Sequence, residues 1–75
     1  TIELKVTSSN KIRFSPHQIA FHFKHPKDSY ILLKTHAPRA VKLYPGSAIK
    51  ELVNYGPTHP PIAEGWDACR LQLEA

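Results

Sequence analysis

The side chains best placed to do chemistry in this chain are its cations. Lys5, Lys11, Arg13, Lys24 and Lys42, with His22 among them, alternate with Leu4, Ile12, Phe21 and Val41 along segments that read as extended. In a pleated strand successive side chains leave on opposite faces. If the apolar members point inward, the cations gather on one outer surface. Several positive charges on one surface suit phosphates or clustered carboxylates. Binders of single-stranded nucleic acid also set aromatic rings among the charges, for base stacking. Tyr44, with Tyr30 second, is the aromatic expected on that surface, while Phe14, Phe21 and Phe23 fall on the expected core side. The bland reading of the same pattern is a solvated charged face.

The charge is unevenly spread. Residues 1–44 hold eight Lys/Arg against Glu3 and Asp28, a balance of +6, whereas residues 45–75 hold Lys50 and Arg70 against four carboxylates, a balance of −2. Asymmetry of this kind points to an acidic partner, either nucleic acid or an acidic protein segment.

Other chemistries find less support. His17, His22, His25, His36 and His59 show neither HExxH nor Cys-x-x-Cys spacing, and on strands His17 and His22 face opposite sides. A zinc site needs three or four ligands converging on one point, so no metal and no cofactor are expected. No two of the six carboxylates sit in an acid/base arrangement, and Gly46, Gly56 and Gly65 are isolated rather than clustered in a phosphate loop. Cys69 beside a histidine would be the basis of a small hydrolase. As the sole cysteine, in a strand-like segment, it reads instead as a buried side chain. Thr58-His59-Pro60-Pro61-Ile62 is a spacer loop or a proline-type ligand for an aromatic groove. No catalytic residue is assigned, and the chain reads as a non-enzymatic binding module.

Seventy-five residues allow one domain, 1–75, with marginal stability on the order of 5 kcal/mol. No apolar run reaches the roughly 18–20 residues of a membrane span. Thr1-Ile2-Glu3-Leu4 lacks the basic-then-apolar order of a signal peptide, although a leader already removed stays open. With one cysteine there is no internal disulfide, which fits a reducing, cytoplasmic setting.

The elements that would position these side chains are mostly strands. Ile2–Val6 and Lys11–Phe14 alternate and read as a hairpin around a turn at Thr7–Asn10. Ser15-Pro16 breaks the ladder, and Gln18–Lys24 alternates again. Tyr30–Leu33 is apolar on both faces, the mark of a central strand covered on both sides. A loop at Thr35–Arg39 precedes a strand at Ala40–Tyr44. Residues 47–55 form the one helix: Ser47 as N-cap, Ile49, Leu52 and Val53 as its apolar stripe, Gly56 and Pro57 as its stop. Residues 57–65 are a loop, Trp66 folds back on the core, and Cys69, Leu71 and Leu73 alternate in a last strand. The expected fold is α+β and β-rich: a small antiparallel sheet or partly open barrel of five to six short strands with one helix. An unpaired edge at Ile2–Val6 makes a homodimeric or assembly subunit the alternative function.

Two partial resemblances lean the same way. Pro16-His17-Gln18-Ile19-Ala20-Phe21 and Lys34-Thr35-His36-Ala37-Pro38-Arg39, with Pro45 and Ser47 beyond, look like the major sperm protein/VAP-type β-sandwich. That resemblance covers under half the chain and implies a groove for acidic peptides near Lys34-Thr35. Residues 30–53 are similar to the opening β-β-α of ubiquitin-like β-grasp folds, where a Pro-Gly-Ser/Thr turn leads into the helix. The two imply different folds, and neither is adopted; both favour a binding module over an enzyme.

Overall fold

The computed structural model describes residues 1–8, 11–36 and 38–74. Its elements are β1 (Ile2–Thr7), α1 (Pro16–Lys24), β2 (Tyr30–His36), β3 (Arg39–Pro45), α2 (Ile49–Tyr55), β4 (Ala63–Glu64) and α3 (Trp66–Glu74), with single 3-10 turns at Gly46–Ala48 and Gly56–Thr58. The sheet has the order β1-β2-β3-β4. β1 runs parallel to β2, with Leu4 beside Leu32, and β3 is antiparallel to both β2 and β4. The architecture of the described residues is therefore α+β, with a four-stranded mixed sheet and three helices in place of five to six strands and one helix.

Each departure has a local cause. Gln18–Lys24 is helical because Ser15-Pro16-His17-Gln18 is a helix start. Ser15 Oγ accepts from Gln18 N at 3.2 Å, Gln18 Oε1 accepts from Ser15 N at 2.9 Å, and Pro16 occupies the first turn. This reciprocal capping box, with proline where no amide donor is needed, outweighs the alternation that follows. The expected first hairpin does not form, because β1 pairs with β2 across the α1 connection. Lys11–Phe14 carries no strand pairing; it buries Ile12 and packs Phe14 on the core. Residues 68–74 belong to α3: Cys69 and Leu73, four apart, share the inward stripe and Leu71 is exposed. Of the expected turn at Thr7–Asn10, Ser9 and Asn10 lie outside the described residues, as does Ala37 of the loop expected at Thr35–Arg39, where Thr35, His36 and Arg39 belong to strands.

The helix expected at 47–55 is present. It starts as the Gly46–Ala48 turn rather than at a Ser47 cap, buries Ile49 and Leu52, leaves Val53 half-exposed, and ends at Gly56 with φ 64°. β2 is the central strand, covered on both sides. One side packs Ile31, Leu33 and Tyr44 under Ile12, Ile19, Ala48, Ile49 and Leu52, beneath α1 and α2. The other packs Val41 and Leu43 with Tyr30 and Leu32 under Cys69 and Leu73 of α3.

Among the described residues there is a single sheet, and Pro16–Phe21 is helical, so the sandwich likeness is not realised. The β-β-α succession appears as β2, β3 and α2, but the strand parallel to β2 precedes it in the chain. No helix is long and apolar enough to cross a membrane among the described residues.

Candidate functional site

The expected cationic residues separate into three places. Lys5 leaves β1 on the side facing α1, with Nζ 3.8 Å from Glu3 Oε2 and 5.2 Å from the centre of the Phe14 ring. Together with Lys11 and Arg13 it lines a shallow groove of about 280 Å³ at the C-terminal end of β1. Lys24 sits in the last turn of α1, about 12 Å of helix from Pro16, where a cation complements the negative end of the helix dipole. Lys42 is half-buried on β3 and donates to the Pro57 carbonyl at 2.9 Å.

His22 and Tyr44 do not reach the surface. The Tyr44 hydroxyl donates to the His59 carbonyl at 2.8 Å, and its ring stacks on the His59 ring with centroids 6.0 Å apart. Burial, and then the nearby Glu64 carboxylate, push its pKa up to about 12. His22 is fully buried between Ser29, 2.8 Å from Nδ1, and Glu3, 3.2 Å from Nε2. Serine, histidine and carboxylate in this order resemble a nucleophile relay. Yet Ser29 Oγ gives its one proton to the His25 carbonyl at 2.6 Å and is 1% exposed, so no substrate can meet it. The trio ties β1, α1 and the start of β2 together. Gly46 completes the joint: its N–H donates to the Ser29 carbonyl at 2.7 Å, and a Cβ there would overlap Ser29 Oγ.

Cys69 is equally enclosed. Its Sγ lies 3.6 Å from the Ala63 carbonyl, and burial followed by Glu64 raises its pKa, which disfavours the thiolate a nucleophile requires. Among the described residues no group of three His, Cys, Asp or Glu could hold a metal ion.

A second cationic groove, of about 430 Å³, was not foreseen from the spacing. It lies between β2, β3 and the start of α3, lined by Lys34, His36, Arg39, Val41, Gly65 and Trp66. Alternation builds it: Lys34 and His36 share a side of β2, and Arg39 and Val41, their register partners on β3, share the same side. The Gly65 N–H donates to the Val41 carbonyl at 2.7 Å, and Gly65 takes φ 92°, a region that favours glycine. That turn starts α3 and sets Trp66 beside the strand ends, with 59% of its surface exposed instead of folded on the core. Among the described residues no ion pair involves Lys34, His36 or Arg39. Both grooves sit toward the C-terminal ends of the parallel strands β1 and β2, since Thr7 pairs with Thr35. That end is where open sheets with parallel strands commonly bind ligands. The signal available in the sequence was the shared parity of Tyr30, Leu32, Lys34 and His36.

No protein-family model matches the chain, and neither does a curated protein or a solved structure.

Proposed function

We propose that this chain is a non-enzymatic binding module that docks an acidic partner at the cationic end of its sheet, and that the partner is single-stranded nucleic acid. One observation carries the reading: the exposed Trp66 ring shares a groove with Lys34, Arg39 and His36, none of which pairs with a carboxylate among the described residues. A base stacks on the indole while Lys34, His36 and Arg39 face the phosphates. Stacking of this kind is worth about 1–3 kcal/mol per base and tolerates any sequence. Lys5, Lys11 and Arg13 line a separate groove on the opposite, α1 side of the sheet; they, Lys24, Lys42 and the buried His22 and Tyr44 contribute no contact to this one.

Trp66 is the only tryptophan, so its fluorescence reports the groove directly. Titration with oligothymidylate is expected to quench it, with a log–log salt slope of about −1.4 for the two phosphate contacts of Lys34 and Arg39 on a single strand. Trp66→Ala is expected to weaken binding roughly tenfold or more, followed by anisotropy of a labelled oligonucleotide. An acidic peptide that binds while oligonucleotides do not would transfer the site to a protein partner; no binding of either at low salt would end the proposal.

A homodimer is a second reading, compatible with the first. It is favoured by the uncovered apolar side of β1, where Ile2, Leu4 and Val6 are each more than half exposed.

A further inference from the structure

β1 turns its oily side away from the helices that cover most of its neighbours. Ile2, Leu4 and Val6 are 52, 60 and 56% exposed, while Glu3, Lys5 and Thr7 face the α1 layer and are partly covered. Among the described residues the strand forms one edge of the sheet, with β2 on one side only. Its free edge offers unpaired backbone N–H and C=O groups. Natural edges are commonly blunted by proline, by a bulge or by charged side chains; β1 has its charges, Glu3 and Lys5, on the helix side, and its uncovered side carries only aliphatic side chains.

Building on the homodimer reading, we propose that the occupant of this edge is a second copy of the chain, paired antiparallel through β1 in the register that sets Leu4 opposite Leu4. The argument is complementarity. A two-fold axis through Leu4 opposes Ile2 to Val6 and Val6 to Ile2 on the uncovered side, so each cross-strand pair there is aliphatic. On the helix side the same axis opposes Glu3 to Lys5 and Lys5 to Glu3. Directly opposed aliphatic pairs and opposite charges both stabilise a ladder, and like charges weaken it.

The neighbouring registers are worse. Sliding one copy by two residues opposes Glu3 to Glu3, or in the other direction Lys5 to Lys5. Sliding by one residue joins the oily side of one copy to the charged side of the other. Only the Leu4-centred arrangement satisfies both sides at once, and it is isologous, as a closed dimer requires.

Within each copy Glu3 Oε2 lies buried, 3.8 Å from Lys5 Nζ of the same strand, so the charges that the two-fold axis opposes are held on the helix side of β1. The assembly is an eight-stranded sheet whose two Trp66 grooves lie toward opposite ends.

The test is sedimentation velocity across a concentration series. The wild type is expected to move from 8.5 kDa toward twice that mass as concentration rises. Leu4→Lys sets two ammonium groups face to face at an exposed site and is expected to stay monomeric, with an unchanged circular dichroism spectrum. Lys5→Glu and Glu3→Lys each oppose like charges and should dimerise roughly tenfold more weakly. Mixed in equal amounts they should recover, because one strand then carries two carboxylates and the other two ammonium groups. Should Glu3→Lys fail to fold without its His22 contact, the loss in Lys5→Glu alone and in Leu4→Lys still decides the register. A wild type monomeric at every concentration overturns the dimer altogether. A dimer that survives both Leu4→Lys and Lys5→Glu overturns this register and leaves homodimerisation standing.

Discussion

The two sides of the sheet are built from the same alternating strands and are finished differently. On one side α1, α2 and the Lys11–Phe14 segment close over Ile31, Leu33 and Tyr44, each of which is fully buried. On the other, α3 alone covers Val41 and Leu43, and the β1 end of that side keeps Ile2, Leu4 and Val6 in the open. The closed side is also where the polar network lies: Glu3 reaches His22, and His22 reaches Ser29. Alternation tells which side chains share a side; it does not tell which side another element will cover. At β1 the charged side chains face the helices because a buried histidine there accepts a carboxylate as its partner.

The largest effect that separates the sides is in the core. Leu33→Ala removes a fully buried side chain beneath α2 and is expected to cost about 2–5 kcal/mol. In a chain whose total stability is on the order of 5 kcal/mol, that unfolds a measurable fraction without denaturant. Leu4→Ala, at the same sort of position along the neighbouring strand, should shift monomer stability by no more than about 0.5 kcal/mol. Urea melts at low concentration compare the two. Equal losses would mean that the β1 end is covered in solution even in the monomer.

A smaller effect depends on pH. Tyr44 on the closed side donates to the His59 carbonyl, and Tyr44→Phe is expected to cost about 1 kcal/mol. Its folded pKa of about 12 lies above the ordinary tyrosine value of about 10. Between these two values the unfolded chain has released a proton that the folded chain keeps. Stability is therefore whole below pH 10 and falls as pH rises toward 12. Tyr44→Phe should flatten that alkaline decline in urea midpoints measured from pH 9 to 12. An unchanged slope would mean that the hydroxyl is open to water.

How much of this was legible depends on whether local and tertiary signals agree. At Tyr30–Leu33 and Ala40–Tyr44 they do: the residues favour strands and are covered there, so both elements were readable, as was the stripe of Ile49 and Leu52. Gln18–Lys24 conflicts with itself. Ile19, Phe21 and Phe23 alternate, yet Ser15 and Gln18 close a capping box, and the helix that forms buries His22 and leaves Phe23 60% exposed. Cys69 and Leu73 satisfy both periods, two and four, and only contact with β3 and β4 selects the helix. The same limit governs the site. Parity along strands picks out Lys5, Lys11 and Arg13, which share a groove, whereas His36 and Arg39 fall in a stretch, Thr35–Arg39, that reads as a loop, and Lys34 lies between it and the strand Tyr30–Leu33. Trp66 gave no local sign of exposure; its place is set by the Gly65 turn and its bond to Val41.

The finest distinction between the two sides is how readily each opens. Cys69 is a built-in probe of the thinly covered one, since Sγ lies beneath α3 against the Ala63 carbonyl. Its burial and raised pKa predict that a thiol reagent labels the native chain at least about tenfold more slowly than the urea-unfolded chain. α3 rests on β3 and on the two-residue strand β4, whereas α1 and α2 also pack against one another. Detachment of α3 alone exposes less apolar surface than global unfolding and should require less free energy. Labelling below the urea midpoint is then expected to run ahead of the loss of circular dichroism and to depend only weakly on urea. Labelling that tracks the global transition, with the same dependence on urea, would show the two sides opening as one unit. The contrast between them would then be one of coverage alone, without a difference in local stability.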